Sequence, residues 1–186
     1  MRILAISGSL RRGSHNTMLL RAAGGLLAPE HELVFWDGLR DVPPYDEDSD
    51  AEQAPAPVSA LREAVRAADA VLIATPEYNS SIPGALKNAL DWASRPFATN
   101  AFRNKPVAVI GSSAGMFGAV WAQAELRKVL AAMGARVADV EVAVGHSTDK
   151  FDDDGNLLDE NVRVQLTDAI STLVAETDPV RVAAAA

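Results

Sequence analysis

The sequence predicts an α/β protein: a doubly wound sheet of five parallel strands in the order 2-1-3-4-5, with helices on both faces. Three observations carry that prediction. Short apolar, β-branched segments alternate five times with longer amphipathic ones, the pattern of parallel strands joined by crossover helices. Three of the strands read as nearly continuous apolar runs, as strands covered on both faces must. Polar, glycine-bearing segments follow several strands, where open α/β sheets place their ligands.

The elements fall in order. Strands are expected at "RILAIS" (2–7), "HELVFWD" (31–37), "AVLIAT" (70–75), "PVAVIGS" (106–112) and "RVADVEVAV" (136–144), each short and apolar. Helices are expected over 16–28, 55–68, 83–93, 119–134 and 155–176. In the second of these, Val58, Leu61 and Val65 share a face, and in the fourth Leu126, Leu130 and Met133 do so before Gly134 stops the helix. The stretch "DEDSDAEQAPAP" (46–57) reads as an acidic, proline-bearing loop, and residues 179–186 as a frayed tail. At 186 residues the whole chain fits a single domain, 1–186.

Composition narrows the chemistry. The sequence has no cysteine, which removes disulfides, thiolate metal sites and thiol nucleophiles and suits a reducing, cytoplasmic setting. No apolar run reaches the ~20 residues of a membrane span, and "ILAI" is too short for the apolar region of a secretory signal. Lys and Arg number 17 against 25 Asp and Glu, a net charge of −8 that argues against a nucleic-acid partner.

The segments after strands 1, 3 and 4 are "SGSLRRGSHNT", "TPEYNSSIPG" and "GSSAGMFG". All are rich in Gly, Ser, Thr and Asn and would meet at neighbouring strand ends. The first lacks the lysine of a phosphate-binding G-x-x-x-x-G-K-[ST] loop, and Leu10 stands where a dinucleotide fingerprint needs its second glycine. Asp37, where that fingerprint wants a ribose-binding acid, is read as a strand-end cap. What remains is a hydroxyl-rich loop entering a helix, where free backbone N–H groups and the helix dipole favour an anion. Its hydroxyls serve either as helix caps or as a phosphate site.

"GSLRRGSHNT", "TPEYNSSIPGALKNALDW" and "GSSAGMFG…AQAELRKVLAAMGA" resemble the three signature segments of the NADPH-dependent FMN reductase family, which includes FMN, chromate, quinone and azo reductases. The likeness runs in order from residue 3 to about 160, with "PEYN…SIPGALKNALDW" its most diagnostic part. It implies a flavodoxin-like fold, non-covalently bound FMN and a homodimer or homotetramer. It also implies that Ser9, Arg11, Ser14, Asn16 and Thr17 bind the FMN phosphate. By the same likeness Pro76, Glu77, Tyr78 and Asn79 lie along the isoalloxazine ring, and Ser112, Ser113, Gly115 and Gly118 at its pyrimidine side. A flat amphipathic ring wants an aromatic or apolar wall and backbone donors.

The resemblance implies an NAD(P)H oxidoreductase that passes hydride from NADPH or NADH through FMN to a quinone, azo, chromate or flavin acceptor. The alternative is an electron carrier of the flavodoxin type without NAD(P)H activity. A third possibility is a flavin-free regulatory or nucleotide-binding domain. The FMN carries the chemistry, so no catalytic side chain is assigned. His15 and His146 are read as surface residues. "FDDDGN" fails as a calcium loop because Lys150 and Asn161 would hold its end-ligand positions. Assembly is expected through residues near 83–103, with Trp92 as anchor, and Arg12 is left to solvent or to the NADPH phosphate.

Overall fold

A computed structural model describes residues 1–52 and 54–177 of the chain; the tail expected over 179–186 lies outside the described residues. Strands β1 (Arg2–Ser7), β2 (Glu32–Trp36), β3 (Ala70–Thr75), β4 (Pro106–Ser112), β5 (Arg136–Val137) and β6 (Ala143–Val144) form one parallel sheet. Its order is β2-β1-β3-β4-β5, with β6 also on β4. β3 and β4 are buried along their whole length, which explains their unbroken apolar sequences. Successive side chains alternate between two cores. Leu4, Ile6, Val71, Ile73, Val107 and Val109 face one layer, packed by α3 (Ala56–Ala67), α4 (Gly84–Ala93) and α5 (Val120–Ala132). Ile3, Ala5, Leu72, Ala74, Ala108 and Ile110 face the other, packed by α1 (His15–Gly24) and α6 (Glu160–Ala175).

The bounds of three expected elements are corrected. The fifth strand, read as continuous over 136–144, breaks into β5 and β6. Between them the Arg127 guanidinium donates to the carbonyls of Val109 (3.4 Å) and Val140 (2.5 Å), so a side chain does what a strand ladder would have done. The first helix ends at Gly24, with Gly25 as its cap, rather than running on to 28. The last helix starts at Glu160 rather than 155, because Asp159 caps it, its Oδ1 accepting from the Val162 amide at 3.0 Å. Residues 151–158 form a separate turn in which Phe151 bridges to Leu157.

The acidic loop contains a short helix, α2 (Glu47–Glu52). Asp46 accepts from the Asp48 amide and the Ser49 hydroxyl at 3.1 and 2.9 Å. Asp50 forms a two-pronged pair with Arg62 at 2.9 and 2.8 Å, and Arg62 also donates to the Trp92 carbonyl at 2.7 Å. Trp92 is itself fully buried in its own subunit: its Nε1 donates to the Pro43 carbonyl at 2.8 Å and its ring meets Tyr45 edge-on. Ala89 is buried with it. Trp92 therefore cannot anchor a second chain; the segment after β2 covers the face that helical periodicity left open.

Candidate functional site

The carboxyl ends of β1, β3 and β4 open into a cleft of about 230 Å³. Nine of the expected site residues line it: Ser9, Arg11, Ser14, Asn16, Pro76, Glu77, Tyr78, Ser112 and Ser113. Thr17, Asn79, Gly115 and Gly118 are not among the lining residues. His15, Ala114, Ser147 and Thr148 complete the wall. The last two come from a fourth segment, after β6, which the sequence reading did not use. Its signal was present, since "GHST" at 145–148 repeats the small polar chemistry of the other loops at a further strand end.

The first loop is held from several directions. Ser14 is buried and caps α1, its Oγ accepting from the Thr17 amide at 3.4 Å. The amides of His15 and Asn16, in the first turn, have no acceptor within the helix. Asn16 is buried and reaches across to β4, donating through Nδ2 to the Ser112 carbonyl (3.0 Å) and accepting through Oδ1 from the Ser112 amide (2.9 Å). Its side chain thus fixes α1 against β4. The Thr17 hydroxyl donates to the Ser7 hydroxyl at 2.9 Å, so it too acts between protein groups. Arg11 is exposed, and its Nη2 donates to the Gly13 carbonyl at 2.8 Å, which leaves most of its guanidinium donors open.

The second loop makes a tight turn. Tyr78 and Ser81 exchange backbone hydrogen bonds at 3.0 and 3.1 Å, with Asn79 and Ser80 both at positive φ (54° and 59°), the signature of a type I′ turn. The turn holds Tyr78 outward, 55% exposed at the cleft rim. Glu77 turns the other way. Its Oε2 accepts from the amides of Trp121 and Ala122, both at 3.0 Å, and so caps α5, whose own N-cap residue is Ala119 with no side chain to offer.

The third loop is clamped to the fourth segment. Ser113 N–H donates to the Val144 carbonyl, His146 N–H to Gly115 and Ser147 N–H to Ser113, at 2.9–3.1 Å. The approach is closest at two glycines. A Cβ on Gly118 (φ 60°) would lie 2.3 Å from the Ala143 carbonyl carbon, and one on Gly145 would lie 2.2 Å from the Met116 oxygen; neither position has room for a side chain. His15, read from sequence as surface, lines the cleft. Its Nδ1 lies 2.8 Å from the Ser147 hydroxyl and its ring stacks on Phe151. Burial, and then the Arg11 cation, lower its pKa below the ordinary imidazole value, which favours the neutral ring.

The donor set suits a phosphorylated, planar cofactor. One end offers hydroxyls, first-turn amides and an arginine; the other offers Pro76 and the Tyr78 ring. The buried Ser112 hydroxyl has no hydrogen-bond partner among the described residues, so it is a polar group at the cleft that a ligand or water could satisfy. Among the described residues no cluster of three or more His, Asp or Glu could hold a metal, and no helix is long and apolar enough to cross a membrane.

Comparison with known proteins agrees with this chemistry. The model of the NADPH-dependent FMN reductase family matches residues 1–149. An NAD(P)H-dependent FMN reductase of Pseudomonas aeruginosa is 42% identical over 174 residues, covering 93% of each chain. A 2-hydroxy-1,4-benzoquinone reductase of a Burkholderia species is 38% identical, covering 89% of this chain and 90% of its own. Among solved structures, the flavoenzyme NAD(P)H:(acceptor) oxidoreductase FerB of Paracoccus denitrificans superposes with a TM-score of 0.85 at 35% identity, covering 95% of this chain and 96% of its own. With its three signature loops gathered on one cleft, this chain belongs to the NADPH-dependent FMN reductase family and is a flavin-dependent NAD(P)H oxidoreductase.

Proposed function

We propose that the cleft binds FMN with its phosphate at the first turn of α1 and its ring along Pro76, Tyr78 and the Ser112–Gly115 segment, and that the protein reduces quinones with NADPH or NADH. The observation that carries this reading is the convergence of hydroxyls, α1 amides and Arg11 at one end of a cleft whose buried Ser112 hydroxyl is otherwise unpartnered. When bound, FMN supplies the two-electron relay between nicotinamide and acceptor.

The residues divide the rest of the work. Arg11, Ser9, Ser14 and the α1 amides bind the phosphate. Asn16 and Thr17 position the loop by holding Ser112 and Ser7. Pro76 and Tyr78 give the ring an apolar wall, and the Asn79 turn presents Tyr78. Ser112, Ser113 and the amides near Gly115 face the ring's polar edge, and Gly118 lets that loop approach β6. No side chain is assigned proton transfer or covalent attack. Quinones are favoured as acceptors because the Burkholderia relative is named for one; the open cleft also admits azo compounds, chromate and free flavin. A cytoplasmic setting, where NAD(P)H is supplied, and a single domain fit the same reading.

We also propose a homodimer, able to pair into a tetramer, that joins through the cleft rim. Tyr78, Met116, Phe117 and Trp121 are all about half exposed or more there, with Phe117 and Trp121 in edge-to-face contact. Such a cluster of large exposed apolar groups marks an interaction surface.

The visible spectrum of the purified protein tests the function. Yellow protein that bleaches with NADPH under anaerobic conditions and recovers its colour on adding benzoquinone is expected. A yellow protein that no nicotinamide bleaches would instead be an electron carrier. A protein that stays colourless with added FMN would refute the reading outright.

A further inference from the structure

Resting on the flavin-reductase reading, we propose that Arg12 and Arg40 form a second anion site beside the cleft, one that takes the 2′-phosphate of NADPH and sets its preference over NADH. β1 and β2 are parallel neighbours, with Ile6 opposite Trp36, so the loops that follow them emerge side by side. They touch: Arg40 Nη2 donates to the Leu10 carbonyl at 2.7 Å. This contact sets Arg40 against the loop that carries Arg11 and Arg12, and all three are exposed.

Their pairing is unusual for an acidic protein. The chain carries a net charge of −8, yet among the described residues no carboxylate pairs with any of the three. The ion pairs instead engage Arg2, Arg62, Lys87, Lys150 and Arg163. Asp37 and Asp41 flank Arg40 in sequence without pairing to it. Among the described residues Arg12 makes no side-chain hydrogen bond or ion pair to a protein group. Three exposed arginines on two adjoining loops, none paired with a carboxylate among the described residues, raise the local potential and attract a multiply charged anion.

The three do not share one task. Arg11 lines the cleft, whereas Arg12 and Arg40 do not. The flavin phosphate is thus met by Arg11 and the α1 amides, and two fork-shaped donors remain outside it. With quinones as acceptors, the phosphate-bearing partner that the reaction brings to this cleft besides FMN is the nicotinamide donor. NADPH differs from NADH only by the 2′-phosphate on its adenosine, so a site outside the flavin cleft that selects a phosphate selects between the two.

Holoenzyme of the wild type, Arg12→Ala, Arg40→Ala and the double variant would be compared. An exposed ion pair contributes up to about a fivefold factor, so each single variant should raise the KM for NADPH about fivefold and the double about 20-fold, with the KM for NADH unchanged. Calorimetry reads the same site without turnover. Adenosine 2′,5′-bisphosphate should bind wild-type holoenzyme more tightly than 5′-AMP, and the double variant should erase that difference. The wild-type difference should also shrink with added salt. Equal shifts for NADPH and NADH, or a loss of FMN affinity with the donor ratio unchanged, would overturn the proposal. If the protein oxidised neither nucleotide, the flavin-reductase reading would fall, while the calorimetric preference would still decide whether the phosphate site exists.

Discussion

Glu77 holds α5 by its first turn, and removing its carboxylate should be felt both in stability and at the flavin. Helix α5 begins after Ala119, which sits at φ 64° with no capping side chain. Of its first amides, Val120 donates to Phe117 and Gln123 to Ala119, while those of Trp121 and Ala122 depend on Glu77 Oε2 at 3.0 Å each. Hydrogen bonds to a charged group contribute about 1.5–3 kcal/mol when protected. The Trp121 amide is exposed, so water replaces the carboxylate there, and only the partly buried Ala122 amide loses its partner. Glu77→Ala should therefore destabilise the protein by about 1.5 kcal/mol, within the range for a lost N-cap. For a chain of this size that is a fall in Tm of about 3–6 °C. Glu77→Gln keeps an acceptor but not the charge that favours a helix N-terminus, and should lose about half as much. Because the same carboxylate ties the loop after β3 to α5, FMN should also bind more weakly to the Ala variant. Thermal melts of the apo and FMN-loaded proteins make the measurement. A Glu77→Ala protein melting within about 1 °C of wild type, or a Gln variant as unstable as the Ala one, would show that the cap carries no weight.

Arg11→Ala should weaken FMN binding about 10-fold, the low end for a charged hydrogen bond because Arg11 is exposed; riboflavin, which lacks the phosphate, should be nearly unaffected, and equal losses in fluorescence titrations would remove Arg11 from the phosphate site. His15 takes up its proton at lower pH in the folded chain than in the unfolded one, so stability should rise with pH from that lowered value to the ordinary value of 6.5 and level off above. His15→Phe should flatten this part of the profile, below pH 6.5, and a wild type and variant with parallel Tm profiles would argue against a lowered imidazole pKa in the folded chain. Trp92→Ala should cost about 3–5 kcal/mol by opening a core cavity without changing the mass seen by light scattering, whereas Phe117→Ser with Trp121→Ser should shift that mass toward a single chain; the reverse pattern would return the interface to α4.

The sheet was legible because burial on both faces leaves a strong mark. β3 and β4 have no polar residue before their last positions, and a run of that length admits few other readings. The break in the fifth strand left no such mark. It depends on Arg127, a residue of α5 whose guanidinium satisfies the carbonyls of Val109 and Val140, and no local pattern at 136–144 announces a donor arriving from elsewhere. Trp92 shows the same limit from the other side. Helical spacing displays an apolar face on α4 but cannot say whether a second chain or the protein's own Pro43–Tyr45 segment covers it; the Pro43 carbonyl on Trp92 Nε1 decides for the latter. Ser147 and Thr148 were missed because the expected fifth strand ended without a polar loop being read after it, although Gly145 marked the turn.

The cleft owes its shape to side chains that reach between loops rather than to the loops' own backbone preferences. Asn16 grips Ser112 from 96 residues away, Glu77 caps α5 across 44 and 45, and His15 meets Ser147 across 132. Each of these residues falls inside a signature segment or beside one, and each would pass, by type alone, for a ligand contact. The structure separates two duties within the same motif. Ser9, Arg11 and Ser112 line the cleft without reaching across to another segment through their side chains, while Asn16, Thr17 and the carboxylate of Glu77 use their polar atoms to fix neighbouring segments. Substitutions in the second group should act together rather than add, since each loosens a wall that the others also hold. Asn16→Ala and Glu77→Ala attach the same β4–α5 loop at its two ends, so their combined effect on FMN affinity should fall short of the product of the single effects. Two losses that multiplied in full would mean that each end of that loop meets the flavin independently.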